Sequence, residues 1–298
     1  MRQISYERKF IVGYNQHQSF YLRERWIGKG LRAITEDPRF LFEDDAFERL
    51  GLGKNMVQSL QHWIRATKTA TDEGTGKNRV FNFTKFGEWL IKNDPALTRF
   101  DTVAMLHYNI ASTDEPSSTW YWLFNEFNET IFDKETIYQS LNPWIQDRET
   151  RVVAENSIIR DIDCVTSMYS GEVQPDDPEE VITSPFSRLQ LLQKVDDSYM
   201  KKEIANGNQN INFVIYTLIK YKEKTGQKEI SLHDLINKKG LLGKIYNMSS
   251  NTIVQLLALL ENHEFFKIKF TRTNNLDMII LPDRDEEEFY EYFSIRKV

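Results

Sequence analysis

Residues 249–281, SSNTIVQLLALLENHEFFKIKFTRTNNLDMIIL, decide the fold. Ser249 or Ser250 offers a capping oxygen, and Ile253, Leu256, Leu257 and Leu260 then recur at i, i+3, i+4 and i+7, the spacing of one apolar helix stripe. FFKIKFTRT (265–273) alternates apolar and polar side chains as a half-buried strand does. NN (274–275) reads as a hairpin turn and LDMIIL (276–281) as the return strand. Upstream, Phe213, Tyr216, Leu218 and Ile219 mark a helix over 212–224. Ser231 caps a short helix carrying Leu232, Leu235 and Ile236, and GLLGKIYN (240–247) has the two glycines of a turn. Helix, short helix, turn, helix, hairpin is the order of a winged helix-turn-helix.

The N-terminal part repeats the phrase. Asp44 to Leu50 predicts a short helix and GLGKN (51–55) a turn, and Met56, Val57, Leu60, Trp63 and Ile64 share one helical face. After a polar break at 72–78, RVFNFT (79–84) predicts one wing strand and KFGEWL starts another helix. The expected fold is mostly α with small β hairpins: two winged helix-turn-helix-like units around an acidic middle with helices at 102–111, 117–129, 133–147 and 152–169. The expected division is an N-terminal winged-helix-like DNA-binding region (1–100), an acidic helical region (101–170), a linker (171–204) and a C-terminal winged-helix domain with an acidic tail (205–298). The linker is clearest in SGEVQPDDPEEVITSP (170–185), with three Pro, one Gly and five acidic residues. The tail DRDEEEFYEYFSIRKV (283–298) predicts a docked short helix.

Charge follows the same division. Residues 1–100 carry 17 Lys and Arg against 12 Asp and Glu, net +5; residues 101–200 carry 6 against 19, net −13; residues 201–282 carry 12 against 7, net +5. A polyanion would be met by the flanks and repelled by the middle, which the whole-chain net of −6 conceals. The 298 residues are 40% hydrophobic and 28% charged, ordinary globular usage that excludes wholesale disorder. No apolar run approaches the roughly 18 residues of a membrane span. The start, MRQISYERKF, has no apolar signal core, and Cys164 is the lone cysteine. These features predict a cytoplasmic protein without a membrane segment.

Candidate DNA contacts lie off the apolar stripes. In the C-terminal unit they are Ser250, Asn251, Thr252 and Gln255, short polar residues suited to phosphates and base edges, with Lys244, Lys267, Lys269 and Arg272 beside them. The same polar face would serve protein pairing. In the N-terminal unit they are Lys54, Asn55, Ser59, His62 and Arg65, extended by Lys68. GLGKN lacks the G-x-x-x-x-G-K-[ST] pattern of a phosphate loop and follows no strand, so a glycine-closed helix turn explains it. HQSFYLRERWIGKG (17–30) sets Arg23, Arg25 and Lys29, with Arg32 just beyond, around Phe20, Trp26, Ile27 and Leu31. It reads as a basic amphipathic helix at a nucleic-acid backbone, or as one whose aromatic side is core and whose basic side is solvated.

Candidate catalytic groups are fewer. His107 could act as a general base, although a histidine amid Leu106, Tyr108 and Ile110 is also what a satisfied core histidine looks like. In ENSIIRDIDCVTSMY (155–169), Asp161 and Asp163 are the candidate ligands of Mg²⁺ or Mn²⁺. Two residues apart on a helix they stand roughly 200° around, so a further carboxylate such as Glu126 or Glu155 would have to join them. An Arg160–Asp163 surface pair is the alternative. Cys164 reads as a buried inert thiol, with a sulfur-carrying thiol as the alternative. No standard nuclease signature and no zinc-type Cys/His set is present.

Four segments carry a family resemblance: HQSFYLRERWIGKG, LGLGKNMVQSLQHWIRA, LHYNIASTDEPSSTWYWLFNEF and ENSIIRDIDCVTSMY, in this order. Together they resemble a bacterial family of unknown function belonging to Ssp-type DNA phosphorothioation systems. Those systems replace a non-bridging phosphate oxygen with sulfur on one DNA strand in antiphage defence, and the chain is similar to their B component, a DNA-nicking protein. The matching positions are His17, Phe20, Arg23, Trp26 and Lys29; Gly53, Lys54, Asn55 and Met56; His107, Trp120 and Asn125; and Asn156, Arg160, Asp161 and Asp163. Ile110 stands where the pattern has Leu. The resemblance implies DNA as a partner, together with a cysteine desulfurase, an ATP-pyrophosphatase of the PAPS-reductase type and an ATPase, and leaves a homodimer open. It also implies a nickase or, since no nuclease signature is present, a non-catalytic adaptor that brings the sulfurtransferase and ATPase to DNA. The C-terminal unit lies largely outside the resemblance.

Overall fold

The computed structural model describes residues 13–171, 183–205, 210–273 and 276–295. It is mostly helical, about 55%, with three small antiparallel sheets.

In the first 100 residues the short helix, the glycine turn and the helix after it form as expected, whereas 17–25 is irregular and the first helix begins only at Trp26. α1 (Trp26–Glu36) packs on α3 (Lys54–Ala66), and α2 (Ala46–Leu50) precedes α3 across a tight turn. Gly51 makes that turn at φ +63°, its N–H returning to Glu48 O and the Leu52 N–H to Phe47 O. β1 (Ala70–Glu73) and β2 (Val80–Phe83) then pair antiparallel, with Ala70 opposite Phe83. Where a single strand was expected there is thus a two-stranded hairpin. The polar ATDE of β1 shows no apolar alternation, and the pair is clamped by Asp72, which accepts from Arg65 Nε at 2.9 Å and Arg79 Nε at 2.6 Å. Thr84 caps α4 (Lys85–Asn93) by accepting from Gly87 N at 3.0 Å. A Cβ on Gly87 would sit 1.8 Å from Thr69 O, so only glycine lets α4 lie this close to the foot of the hairpin.

The acidic middle contains α5 (Phe100–Ala111), α6 (Ser118–Asn125), β3 (Ile131–Phe132), α7 (Lys134–Arg148) and α8 (Glu155–Ser170). All of 101–111 in α5 is buried, which makes it the central helix. Of the expected linker, 172–182 lie outside the described residues. The rest of it is folded: a 3-10 turn at Pro185–Leu189 buries Phe186 and Leu189, and β4 (Leu192–Val195) and β5 (Ser198–Lys201) form a sheet of order β3-β5-β4 with the acidic region.

The remaining elements are α9 (Asn212–Thr225), β6 (Glu229–Ser231), α10 (Leu232–Asn237), α11 (Leu242–Ile245), α12 (Ser250–Leu260), β7 (Lys269–Thr273), β8 (Leu276–Ile280) and α13 (Glu286–Ile295). Ser231 caps α10 and Ser249 caps α12, accepting from Asp234 N and Thr252 N. The sheet order is β6-β8-β7, and the expected turn residues 274–275 lie outside the described residues. Residues 265–268 are not strand: Phe266 and Ile268 are buried, and the Ile268 N–H bonds Leu260 O at the end of α12. One buried cluster runs from Tyr14 to Phe293. α13 closes it across the chain, with Phe293 stacked 4.9 Å from Trp89 of α4 and the Trp89 indole N–H bonded to Ser294 Oγ at 2.9 Å.

Candidate nucleic-acid interface

Helix α3 begins at Gly53 with no side-chain cap, and its first internally bonded N–H is that of Val57 to Gly53 O. An uncapped helix N-terminus presents its first amides and a partial positive charge to solvent. Lys54 and Asn55 stand exposed there, with the Lys54 ammonium 4.8 Å over the Phe47 ring. Beside them α1 and α2 frame a surface hollow of about 480 Å³ lined by Lys29, Arg32 and Arg49 with Glu36. Lys29 Nζ donates to Leu50 O at 3.0 Å, tying α1 to the end of α2, while Arg49 lies 3.9 Å over the Phe40 ring. Arg23 is half-buried over Phe20 and Trp26 at 5.6 and 5.3 Å.

The sequence reading placed too much of α3 on this surface. Residues 17–25 are not helical: Gln18, Ser19 and Arg25 have positive φ, and the helix starts at Trp26. This segment covers a second face of α3. Ser59 is buried, its Oγ donating to Phe20 O at 3.0 Å, and Trp63 Nε1 donates to the same oxygen. His62 is buried beside Ser117, and burial pushes its pKa well below the ordinary value. Arg65 is committed to Asp72. The outward residues of α3 are therefore Lys54, Asn55 and Gln58 at its start.

On α12, Ser250, Asn251 and Gln255 are exposed and Thr252 is half-buried. The same face carries Val254 at 44% and Leu259 at 52% exposure, and no residue of the helix is basic. Lys267 and Lys269 are exposed on the approach to the hairpin, whereas Lys244 Nζ donates to Asn128 Oδ1 at 2.9 Å.

The catalytic candidates do not converge. Asp161 is 1% exposed, and its carboxylate accepts from Asn15 N (2.7 Å), His17 Nε2 (2.8 Å) and Thr119 Oγ1 (2.8 Å). Asp163 points outward and pairs with Lys134 at 2.8 Å; Arg160, the partner considered for it, is exposed. Glu126 pairs with Lys239 and Glu155 is exposed. Among the described residues no three His, Cys, Asp or Glu side chains are grouped to hold a metal. With Asp161 saturated by three donors and Asp163 paired to a lysine, these two do not fit Mg²⁺ or Mn²⁺. His107 is fully buried with both ring nitrogens used: Nε2–H donates to Ile245 O and Nδ1 accepts from Tyr169 Oη, each at 2.6 Å. Burial pushes its pKa down to about 4. It is neutral and enclosed, the arrangement of a core histidine. Cys164 is buried and its thiol pushed well up by burial.

A family profile described as "Protein of unknown function (DUF4007)" matches residues 14–294. This chain belongs to the DUF4007 family. Two solved structures share its fold. A magnesium ion-bound SspB crystal structure superposes at a TM-score of 0.79 with 22% identity, covering 90% of this chain and 83% of that one. An SspB crystal structure superposes at 0.79 with 20% identity, covering 95% and 86%. No curated protein matches the sequence.

Many positions carrying the resemblance prove to hold this DUF4007 fold together. His17 joins Asp161 by its Nε2 and lies with Trp120 at 5.7 Å and Trp63 at 6.1 Å between ring centroids. Asn125 donates to Ala111 O and Tyr121 O and accepts from Gly240 N at 2.6 Å. Two residues escaped the sequence reading. Thr119 gives no local sign of facing Asp161. Lys201 Nζ donates to Leu123 O at 2.7 Å and to Phe127 O, capping the end of α6, and burial pulls its pKa down to about 7. A lysine in a short strand carries no local signal of this role.

Proposed function

We propose that this protein is the DNA-docking component of a bacterial DNA phosphorothioation system, a counterpart of SspB, working in the cytoplasm with a cysteine desulfurase, a PAPS-reductase-like ATP-pyrophosphatase and an ATPase. The observation carrying the reading is the basic hollow of Lys29, Arg32 and Arg49 that reaches Leu50 at the end of α2, with Lys54 exposed at the uncapped start of α3 just after it in the chain. We read α1–α3 with the β1–β2 hairpin as a winged helix-turn-helix that seats a DNA phosphate at that helix end. The α9–α12 unit with its β6-β8-β7 sheet has the corresponding element order, so we read it as a second one. Its uncharged α12 face, with Val254 and Leu259 outward, supports a protein partner there, while Ser250, Asn251, Thr252, Gln255, Lys267 and Lys269 are the contacts if it also meets DNA. A magnesium ion-bound form of SspB favours nicking as a second reading; its metal would need ligands other than the Asp161–Asp163 pair.

Arg49→Glu together with Lys54→Glu is expected to weaken duplex binding at least tenfold and to flatten its salt dependence. Each lost phosphate contact removes about 0.9 from the slope of log affinity against log salt. Unchanged affinity in mobility shifts across a salt series would exclude this surface. Supercoiled plasmid incubated with Mg²⁺, Mn²⁺ or EDTA separates the two readings. Open circle that EDTA abolishes supports a nickase, and binding without conversion supports the adaptor.

A further inference from the structure

A cavity of about 520 Å³ lies where the N-terminal, middle and C-terminal regions meet. Six lysines line it: Lys68, Lys85, Lys220, Lys224, Lys238 and Lys239. Against them stand only Glu223 and Glu286 in the lining. Four of the lysines have carboxylate partners: Lys85 with Glu287, Lys220 with Glu286 at 2.6 Å, Lys238 with Asp234, and Lys239 with Glu126. Among the described residues no hydrogen bond or ion pair holds the ammonium of Lys68 or of Lys224.

Lys68 is not a loose surface lysine. Its backbone is fixed at φ +53°, its N–H bonds Arg65 O at 2.9 Å, and its carbonyl accepts from Thr84 Oγ1 at 2.6 Å. Burial together with Lys224 and Lys220 pulls its pKa down to about 8. Two ammonium groups facing one cavity, neither held by a carboxylate among the described residues, repel each other, and an anion between them relieves that. Phe86, Tyr108 and Tyr216 supply an aromatic wall, and the volume falls in the roughly 300–1,000 Å³ range of small-molecule sites.

We propose that this cavity binds a nucleoside phosphate, its phosphates between Lys68 and Lys224 and its base against the tyrosine wall. The site is separate from the proposed DNA surface. Lys68 follows the far end of α3, and the 13 residues of that helix span about 20 Å. A bound nucleotide would touch α4, α5, α9 and the α10–α11 connection at once, joining the two helix-turn-helix-like units.

The test is titration of the full chain with ATP, ADP and tripolyphosphate by calorimetry and thermal shift, with a short DNA duplex as the competing source of phosphate. Lys224→Glu changes an exposed residue, and Lys68→Asn keeps a side chain that tolerates positive φ. Saturable ATP binding that each variant weakens at least tenfold, in proteins of wild-type circular dichroism, supports the site. Variants that weaken duplex binding while ATP never binds would overturn it, assigning the lysines to the DNA backbone. Absence of binding by all three small ligands at millimolar concentration would overturn it too. Arg49→Glu/Lys54→Glu should leave ATP binding intact, so failure of the DNA-docking reading and failure of this one are told apart.

Discussion

Asp161→Ala should destabilise the protein by about 3–5 kcal/mol, the usual scale for breaking a buried charge network. The carboxylate is the meeting point of the Asn15 amide, the His17 ring and the Thr119 hydroxyl. Its removal strands these buried donors together, each at a cost of about 1–3 kcal/mol when left unpaired. The two sides of this junction come from sequence positions more than 140 apart, so the N-terminal segment loses its anchor on α8. With it goes the cover over Ser59 and Trp63 on α3. A urea midpoint equal to wild type would sink this account and return Asp161 to the list of catalytic candidates. Asp163→Ala, at an exposed site paired among the described residues with Lys134 alone, should stay within about 0.5 kcal/mol of wild type. Loss of plasmid nicking in Asp163→Ala would therefore speak about chemistry. In Asp161→Ala it would first speak about folding.

The contrast between these neighbouring aspartates shows what was legible in the sequence. Most helix positions and caps were, because they are local: Ser231 caps α10 as expected, Ser249 rather than Ser250 caps α12, and Ile253, Leu256, Leu257 and Leu260 of α12 face inward. Lys54 and Asn55 were expected to face outward at the start of α3 and do, whereas Arg49 in the neighbouring hollow carried no signal of its own. Illegible was whatever depends on distant chain. Ser59 lies off the apolar stripe of α3, but the irregular segment at Phe20 covers that side. Asp161, read from the sequence as a candidate metal ligand, is covered by Asn15 and His17 from the distant N-terminal segment. Strand β3 pairs with β5 across nearly 70 residues and β4 pairs with β5 in a local hairpin, with no strong apolar alternation to announce any of the three. The lysine cavity collects residues from six separate segments, and each of its lysines reads alone as an ordinary solvated charge.

Acid should destabilise this protein before its carboxylates titrate. His107 is held neutral between Tyr169 and the Ile245 carbonyl, with its pKa near 4 against 6.5 for an exposed histidine. Because the folded value is the lower one, the unfolded chain takes up the proton first. The contribution is fully present above about pH 6.5 and is lost as pH falls toward 4, at roughly 1.4 kcal/mol per pH unit. From His107 alone, about 2 kcal/mol is gone by pH 5. His62, whose pKa burial and the neighbouring His17 push well down, adds a loss of the same sign in the same window. Asp101 acts oppositely: burial raises its carboxyl, so its folded form gains a proton first, which offsets part of the loss as pH falls. Between pH 7 and 5 the histidines dominate, and Lys201, its pKa pulled down to about 7, adds a smaller loss of the same sign at the upper end. The urea midpoint should fall steadily across this range at constant m-value, and the exposed His233 changed to Gln should leave the slope as it was. A midpoint that stays flat from pH 7 to 5 would mean that His107 can be protonated inside the fold. Its hydrogen bonds to Tyr169 and Ile245 would then have to be remade, and the general-base reading of this residue would deserve testing again by substitution.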